Sequence, residues 1–330
     1  MKIQTNNMKK TIIFIILFFI IIFLAIIIYY QESLVHPARR VLQSYHYEWL
    51  NHPEQHSMKI IKDEKHKDIL IVKRDNTLPL SMRSQKVLRE LKEHGYEQEK
   101  LQKRGIIVMF HGKNGRKEDL LPVAERYVTA GFTCVLVDLP AHGESLKTEM
   151  KYTEKLDKTV LSVVQKYVDI YAQPIYFWGM SLGGRYAIVS SSNYDKKVFP
   201  EPKALILVST FDTLSYVLKE KSVALFGAYI AEVLYRSLRF SLKFFYDLDP
   251  EKIDSITTAQ GIKLPVFVLH GAKDKLIGYE HGKNLFEQFP NKRKVFHLDK
   301  NGDHHNILVT DYPFYLESIL FLLEGEPFKE

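Results

Sequence analysis

The sequence predicts an α/β protein: a mostly parallel central sheet wound on both faces by helices, with a helical lid and an N-terminal transmembrane helix. Three observations carry this. From Ile106 onward, short apolar runs suited to buried strands alternate with longer amphipathic stretches, the pattern of parallel strands joined by crossover helices. The stretch Ile175 to Val189 reads as a buried strand, a sharp turn and a helix, with Ser181 at the turn. Thr11 to Tyr30 is an uncharged apolar run of about 20 residues, long enough to cross a bilayer as a helix.

Composition narrows the function classes. A chain of 330 residues, 46% of them hydrophobic, can hold one large domain and an appendage. Its formal charge of +7 is dispersed, with no dense basic run interleaved with aromatics, which argues against nucleic-acid binding. The single cysteine, Cys134, sits in the apolar run Thr133 to Val137 and has no partner for an intrachain disulfide.

In chain order, residues 1–10 form a basic N-terminal segment and residues 11–30 the membrane anchor. The exit Ile28-Tyr-Tyr-Gln-Glu-Ser lacks a small-x-small cleavage pattern, which favours an uncleaved anchor over a signal peptide. Lys2, Lys9 and Lys10 precede the span and Arg39 and Arg40 follow it, a slight bias toward a cytoplasmic N-terminus with the main domain on the opposite side. Residues 31–57, with His36-Pro37 and His52-Pro53, read as a connector, and residues 58–330 as the main domain. Met58 to Lys62 and Asp68 to Lys73 read as antiparallel strands. Gln85 to Arg104 is helix-compatible, followed by a central strand Ile106 to Phe110 and a helix Glu118 to Ala130. Then come strand Thr133 to Val137, helix Thr153 to Tyr171, the Ser181 strand and helix, strands Ala204 to Val208, Val266 to Leu269 and Lys294 to Leu298, and helix Pro313 to Leu323.

The segment at about 213–262 interrupts this rhythm. Phe226, Tyr229, Ile230, Val233, Leu234, Leu238, Leu242 and Phe245 recur every three or four residues, as in amphipathic helices. An insertion there emerges where strand C-termini and loops form sites, so it reads as a lid. Phe226, Tyr229, Leu234 and Phe245 are its expected substrate-facing residues.

Gly179-Met-Ser-Leu-Gly183 is a weak motif alone, but it lies between a strand and a helix, the context in which it presents a nucleophile. The glycines leave room where helix and strand must come close, and the helix start offers free N–H groups to a developing negative charge. A serine nucleophile also needs a base and an acid that orients the base. Asp274 follows a strand in His270-Gly-Ala-Lys-Asp274, and the last strand leads into Lys300-Asn-Gly-Asp-His-His-Asn306. The order Ser, Asp, His is the one such a triad takes on this kind of sheet. Adjacent histidines point in different directions, so one of His304 and His305 can serve, and His305 is favoured.

Taken with Phe110-His-Gly112 and Asp138-Leu-Pro-Ala-His-Gly-Glu-Ser145, these motifs resemble the α/β-hydrolase superfamily, and within it the monoacylglycerol lipase-like and membrane-anchored ABHD-type serine hydrolases. The resemblance covers roughly Lys103 to Leu323. It implies Ser181 as nucleophile, Asp274 as acid and His305 as base, because the family often has a Gly-x-x-His-Asn loop, matched by Gly302 to Asn306. It further implies backbone N–H groups of Lys113 and Leu182 as oxyanion donors, and structural roles for His111 and His142. Ala141 stands where the family usually has glycine. The expected activity is hydrolysis of carboxylic esters, lipid-like ones such as a monoacylglycerol or lysophospholipid, with no metal or organic cofactor. Peptidase, thioesterase and acyltransferase chemistry on the same scaffold are the alternatives, and a hydrolase-fold binding protein is the non-enzymatic one.

Overall fold

The apolar runs form β1 (Met58–Lys62), β2 (Ile69–Arg74), β3 (Gly105–Phe110), β4 (Phe132–Val137), β5 (Ile175–Met180), β6 (Pro202–Val208), β7 (Val266–Gly271) and β8 (Lys294–Asp299). In this computed structural model they pair into one eight-stranded sheet in the order β1-β2-β4-β3-β5-β6-β7-β8. β1 and β2 run antiparallel to their neighbours, and every pairing from β4 through β8 is parallel. The structure describes residues 2–192, 200–310 and 312–325; the side chains of residues 2–9, with most of the expected basic segment, and residues 326–330 lie outside the described residues.

The helices are α1 (Lys2–Val35), α2 (Ser44–Asn51), α3 (Met82–Glu93), α4 (Leu121–Thr129), α5 (Lys158–Tyr167), α6 (Leu182–Ser192), α7 (Leu214–Phe226), α8 (Ala228–Tyr246), α9 (Ser255–Gln260), α10 (Tyr279–Gln288), α11 (Ile307–Thr310) and α12 (Tyr312–Leu323). They cover both sheet faces, which is why the central strands are apolar throughout rather than alternating. In β3, Ile106, Val108 and Phe110 enter one core layer while Ile107 and Met109 enter the other. Cys134 is buried in β4 as a free thiol.

Several boundaries differ from the sequence expectation. The helix expected to reach Arg104 ends at Glu93, where Gly95 takes a left-handed φ of 85° and its N–H bonds back to Lys92. The helix expected from Thr153 starts at Lys158, because the Asp157 carboxylate caps it by accepting the Thr159 N–H at 2.9 Å. The N-terminal helix runs past Tyr30 to Val35 and stops ahead of Pro37, and α2 occupies part of the expected connector.

The extension of α1 has a packing reason. Between Ile12 and Leu24 its large apolar side chains are mostly exposed, but Ile27, Gln31, Leu34 and Val35 are buried. Ile26, Ile27 and Tyr30 meet Leu234 and Leu238 of α8, the Ser241 hydroxyl donates to Gln31, and the Tyr246 hydroxyl donates to Glu32 at 2.6 Å. The last turns of α1 are thus part of the folded domain.

Candidate active site

The turn after β5 places Ser181 in the left-handed region, φ 54°, where a side-chain-bearing residue is strained. Close packing holds it there. A Cβ on Gly179 would run into the backbone of Gly183, and one on Gly183 into the carbonyls of Phe110 and His111. The Ser181 N–H is tied to the Val208 carbonyl at 2.8 Å, and its hydroxyl is left at the sheet's C-terminal edge.

The loops after β7 and β8 are stapled together. Ala272 N–H donates to the Asp299 carbonyl at 2.8 Å and Lys273 N–H to the Gly302 carbonyl at 3.0 Å. Asp274 Oδ1 accepts the N–H groups of Leu276 and Ile277 at 2.9 and 2.8 Å, which fixes the carboxylate and turns Oδ2 toward His304. His304 Nδ1 lies 2.7 Å from Asp274 Oδ2, and His304 Nε2 lies 3.1 Å from Ser181 Oγ. With Nδ1 against a carboxylate, the ring carries its proton there and leaves Nε2 free to accept from the serine. Burial works against the ionised form of Asp274. The His270 ring 3.6 Å away, the hydrogen bond from His304 and the Ile277 N–H outweigh it and hold the carboxyl well below the usual carboxylate range.

The expectation of His305 is corrected. Its ring is exposed and touches His304 edge-on, with centroids 5.7 Å apart. The reason is a helical turn opened by Asp303, whose Oδ1 accepts the N–H groups of His305 and Asn306 at 2.8 and 2.9 Å, while Asn306 Oδ1 accepts the Asp303 N–H at 2.7 Å. Successive side chains of that turn diverge, so seating His304 over the sheet edge sends His305 into solvent. Asp and Asn three residues apart were the available signal, and the family's Gly-x-x-His-Asn pattern pointed one residue too far.

Two further histidines hold the neighbouring loops. His111 Nε2 accepts the Leu139 N–H at 3.1 Å while its Nδ1 bonds the Gly112 carbonyl at 2.8 Å. His142 Nε2 accepts the Asn114 N–H at 3.0 Å and its Nδ1 bonds the Pro140 carbonyl at 2.8 Å. Each ring therefore needs one proton on Nδ1 and a bare Nε2. Burial accordingly lowers both pKa values, that of His142 to about 4. Beneath them Lys117, wholly buried, meets Asp138 at 2.8 Å, Glu144 at 2.7 Å and Glu118 at 3.0 Å. Ala141 adopts φ 63°, a conformation that glycine takes without strain.

The fold matches known structures. An esterase of Pyrococcus furiosus superposes with a TM-score of 0.56 at 19% identity, over 88% of this chain and 98% of that one. The chain has the α/β-hydrolase fold. A monoacylglycerol lipase of Paleococcus ferrophilus matches with a TM-score of 0.45 at 17% identity, over 68% of this chain and 96% of that one. In sequence, a quorum-quenching protein, AidA of Acinetobacter baumannii, is 25% identical over 143 residues, 37% of this chain and under half, 46%, of its own length. The chain matches no family model.

Within this α/β-hydrolase fold, a cavity of about 1040 Å³ opens at Ser181, Leu182, Lys113 and Asp274. The backbone at Gly112 lies against Ser181, so the chain bearing Lys113 runs beside the serine hydroxyl. Leu182 opens α6, where the first N–H groups have no intrahelical acceptor. The cavity wall differs from the one expected, because Phe226, Tyr229, Leu234 and Phe245 do not line it. Leu234 is buried near α1, Phe226 packs on the core, and Tyr229 and Phe245 are exposed. α8 spends its apolar face on α7 and α1, and α7 faces the cavity with Leu214, Val217, Leu218 and Leu225. Tyr29, Tyr30, Ser33 and Leu34 of α1 complete the wall. Among the described residues, no group of histidine, cysteine and carboxylate side chains could hold a metal ion.

Proposed function

We propose that the chain is a membrane-anchored serine hydrolase that cleaves lipid-like carboxylic esters. The observation that carries this reading is the relay from Ser181 through His304 to Asp274, at 3.1 and 2.7 Å, on the edge of a largely apolar cavity. His304 Nε2 takes the serine proton as Oγ attacks the ester carbonyl, and Asp274 steadies the imidazolium. The N–H groups of Leu182 and Lys113 hold the oxyanion. The alcohol leaves with the proton from His304. A water molecule, deprotonated by the same nitrogen, then releases the acid from the acyl-enzyme.

The α1 stretch Lys10–Val35 is long and apolar enough to cross a membrane. Retention of this helix is supported by its contribution to the cavity wall, which cleavage of a leader would remove. A cavity bounded by the end of such a helix suits an ester with an apolar acyl chain. The charge bias across the helix favours a cytoplasmic N-terminus and a main domain on the other side.

Labelling with a fluorophosphonate probe tests the chemistry. Labelling of the intact protein that disappears in Ser181→Ala supports it, and an unlabelled wild-type protein refutes it. A panel of monoacylglycerols, lysolipids, short-chain esters and aminoacyl amides then tests the substrate class, and amide cleavage without esterase activity would overturn the ester assignment. Continued membrane association after deletion of residues 1–30 and a high-salt wash would count against α1 as the anchor.

A further inference from the structure

The cavity wall carries four lysines, Lys113, Lys219, Lys221 and Lys275, against two carboxylates, Glu220 and Asp274. Both carboxylates are committed elsewhere: Asp274 Oδ2 lies 2.7 Å from His304, and Glu220 Oε2 lies 2.9 Å from His281. Lys219 sits over the Tyr235 ring at 4.5 Å. Lys113 Nζ donates to the neutral hydroxyl of Ser33 on α1 at 2.8 Å, and among the described residues Lys221 has no hydrogen-bond or ion-pair partner. Two half-buried ammonium groups thus face an apolar cavity without a carboxylate of their own.

We propose that Lys113 and Lys221 form an anion subsite inside the Ser181 cavity, so that the preferred ester carries a phosphate or carboxylate group in addition to its acyl chain. This rests on the hydrolase reading above and narrows its substrate class.

The two amines carry uncompensated charge. Two like charges withdrawn from water repel each other and lose hydration, a cost that persists unless a counter-charge enters. The cost is legible in the protein. Burial, and secondly the neighbouring Lys221, lower the Lys113 ammonium to about 8, and burial lowers Lys221 although Asp274 partly offsets this. At neutral pH Lys113 is still mostly charged, and an anion placed between the two amines relieves the repulsion. The subsite also gives Ser33, which faces the cavity from the last turns of α1, a role: it orients the Lys113 amine. Lys221 comes from a different element, α7, so the anion would be held between two separate segments of the cavity lining.

The test uses the full-length Ser181→Ala protein in nonionic micelles, with octyl phosphate, octanoate, 1-octanol and inorganic phosphate as ligands in calorimetric titrations. At least one charged octyl ligand should bind about tenfold or more tightly than 1-octanol. Lys221→Met should cut that preference to within about twofold, and Lys221→Arg should restore it. Stronger binding of octyl phosphate assigns a phosphate, and stronger binding of octanoate a carboxylate. Equal affinity for charged and neutral ligands, or a preference untouched by Lys221→Met, overturns the subsite. Inorganic phosphate binding as tightly as octyl phosphate overturns the substrate assignment. In wild-type protein, kcat/KM for a lysophosphatidic acid over that for the monoacylglycerol of the same chain should fall in Lys221→Met if phosphate is the recognised group. Absent fluorophosphonate labelling would refute the hydrolase reading and leave the titrations interpretable, whereas labelling without anion preference would refute the subsite alone.

Discussion

Glu32 near the end of α1 accepts the hydroxyl of Tyr246 at the end of α8, at 2.6 Å and across 214 residues of sequence. The same carboxylate meets His36 Nδ1 at 2.8 Å through its other oxygen, so a single side chain joins the helix end to the turn that follows and to the inserted helix pair. Tyr246→Phe should lower stability by about 0.5–1.5 kcal/mol, the net worth of one such bond. Thermal unfolding in detergent would measure this, with KM for long-chain esters rising as the α1 wall loosens.

The base can be assigned with two single variants. His304→Ala should reduce ester turnover by about 10²–10⁴-fold, the usual contribution of a positioned acid–base group. His305→Ala should stay within a factor of about two. The comparison is kcat/KM on one chromogenic ester, and the reverse pattern would contradict the distances at Ser181.

Asp138 is the principal counter-charge of Lys117 and also accepts the backbone N–H groups of Lys117 and Glu144 at 2.8 and 2.9 Å. Asp138→Asn leaves a buried ammonium short of compensation and should cost about 3 kcal/mol in chemical denaturation. Adding Lys117→Met should recover part of that loss, because the stranded charge is then gone.

Stability should also depend on pH through His281. Its Nδ1 faces Asp212 at 2.6 Å and its Nε2 faces Glu220 at 2.9 Å, so only the doubly protonated ring can donate to both. Burial opposes the charge, but the two carboxylates win and raise the pKa above the ordinary 6.5. A raised folded-state value means that the folded form binds the proton more tightly. The stabilisation is therefore complete below about 6.5 and fades as pH rises through the folded-state value. Melting temperatures across this range should fall with pH in the wild type, and the slope should flatten in His281→Gln.

Gly183→Ala tests the elbow. The added methyl meets the carbonyls of Phe110 and His111, which are backbone atoms and cannot rotate away. A destabilisation of about 1–3 kcal/mol is expected, with weaker probe labelling as Ser181 is displaced.

The sheet was legible because strands buried on both faces leave unbroken apolar runs, and the turn glycines and capping groups between them mark the changes of direction. Ser181 and Asp274 could be picked out for a related reason: each sits just beyond such a run, where side chains leave the sheet. The histidine was harder, since choosing between His304 and His305 requires the rotation of one helical turn, and that is set by the pairing of Asp303 with Asn306. The cavity wall was less accessible still. In α1 every residue from Thr11 to Tyr30 reads alike, and nothing in that uniform run says that its last turns lean on Leu234 and Leu238. The amphipathic stripe of α8 was visible, but the partner it serves was not.

Because Tyr29, Tyr30, Ser33 and Leu34 form part of the cavity, the long apolar helix and the Ser181 cavity share material. Cleavage within that stretch would therefore do more than shorten the chain: it would strip side chains from the lining and leave the Ser181 cavity wider on that side. Preparations shortened at the N-terminus would then report on a cavity other than that of the full chain.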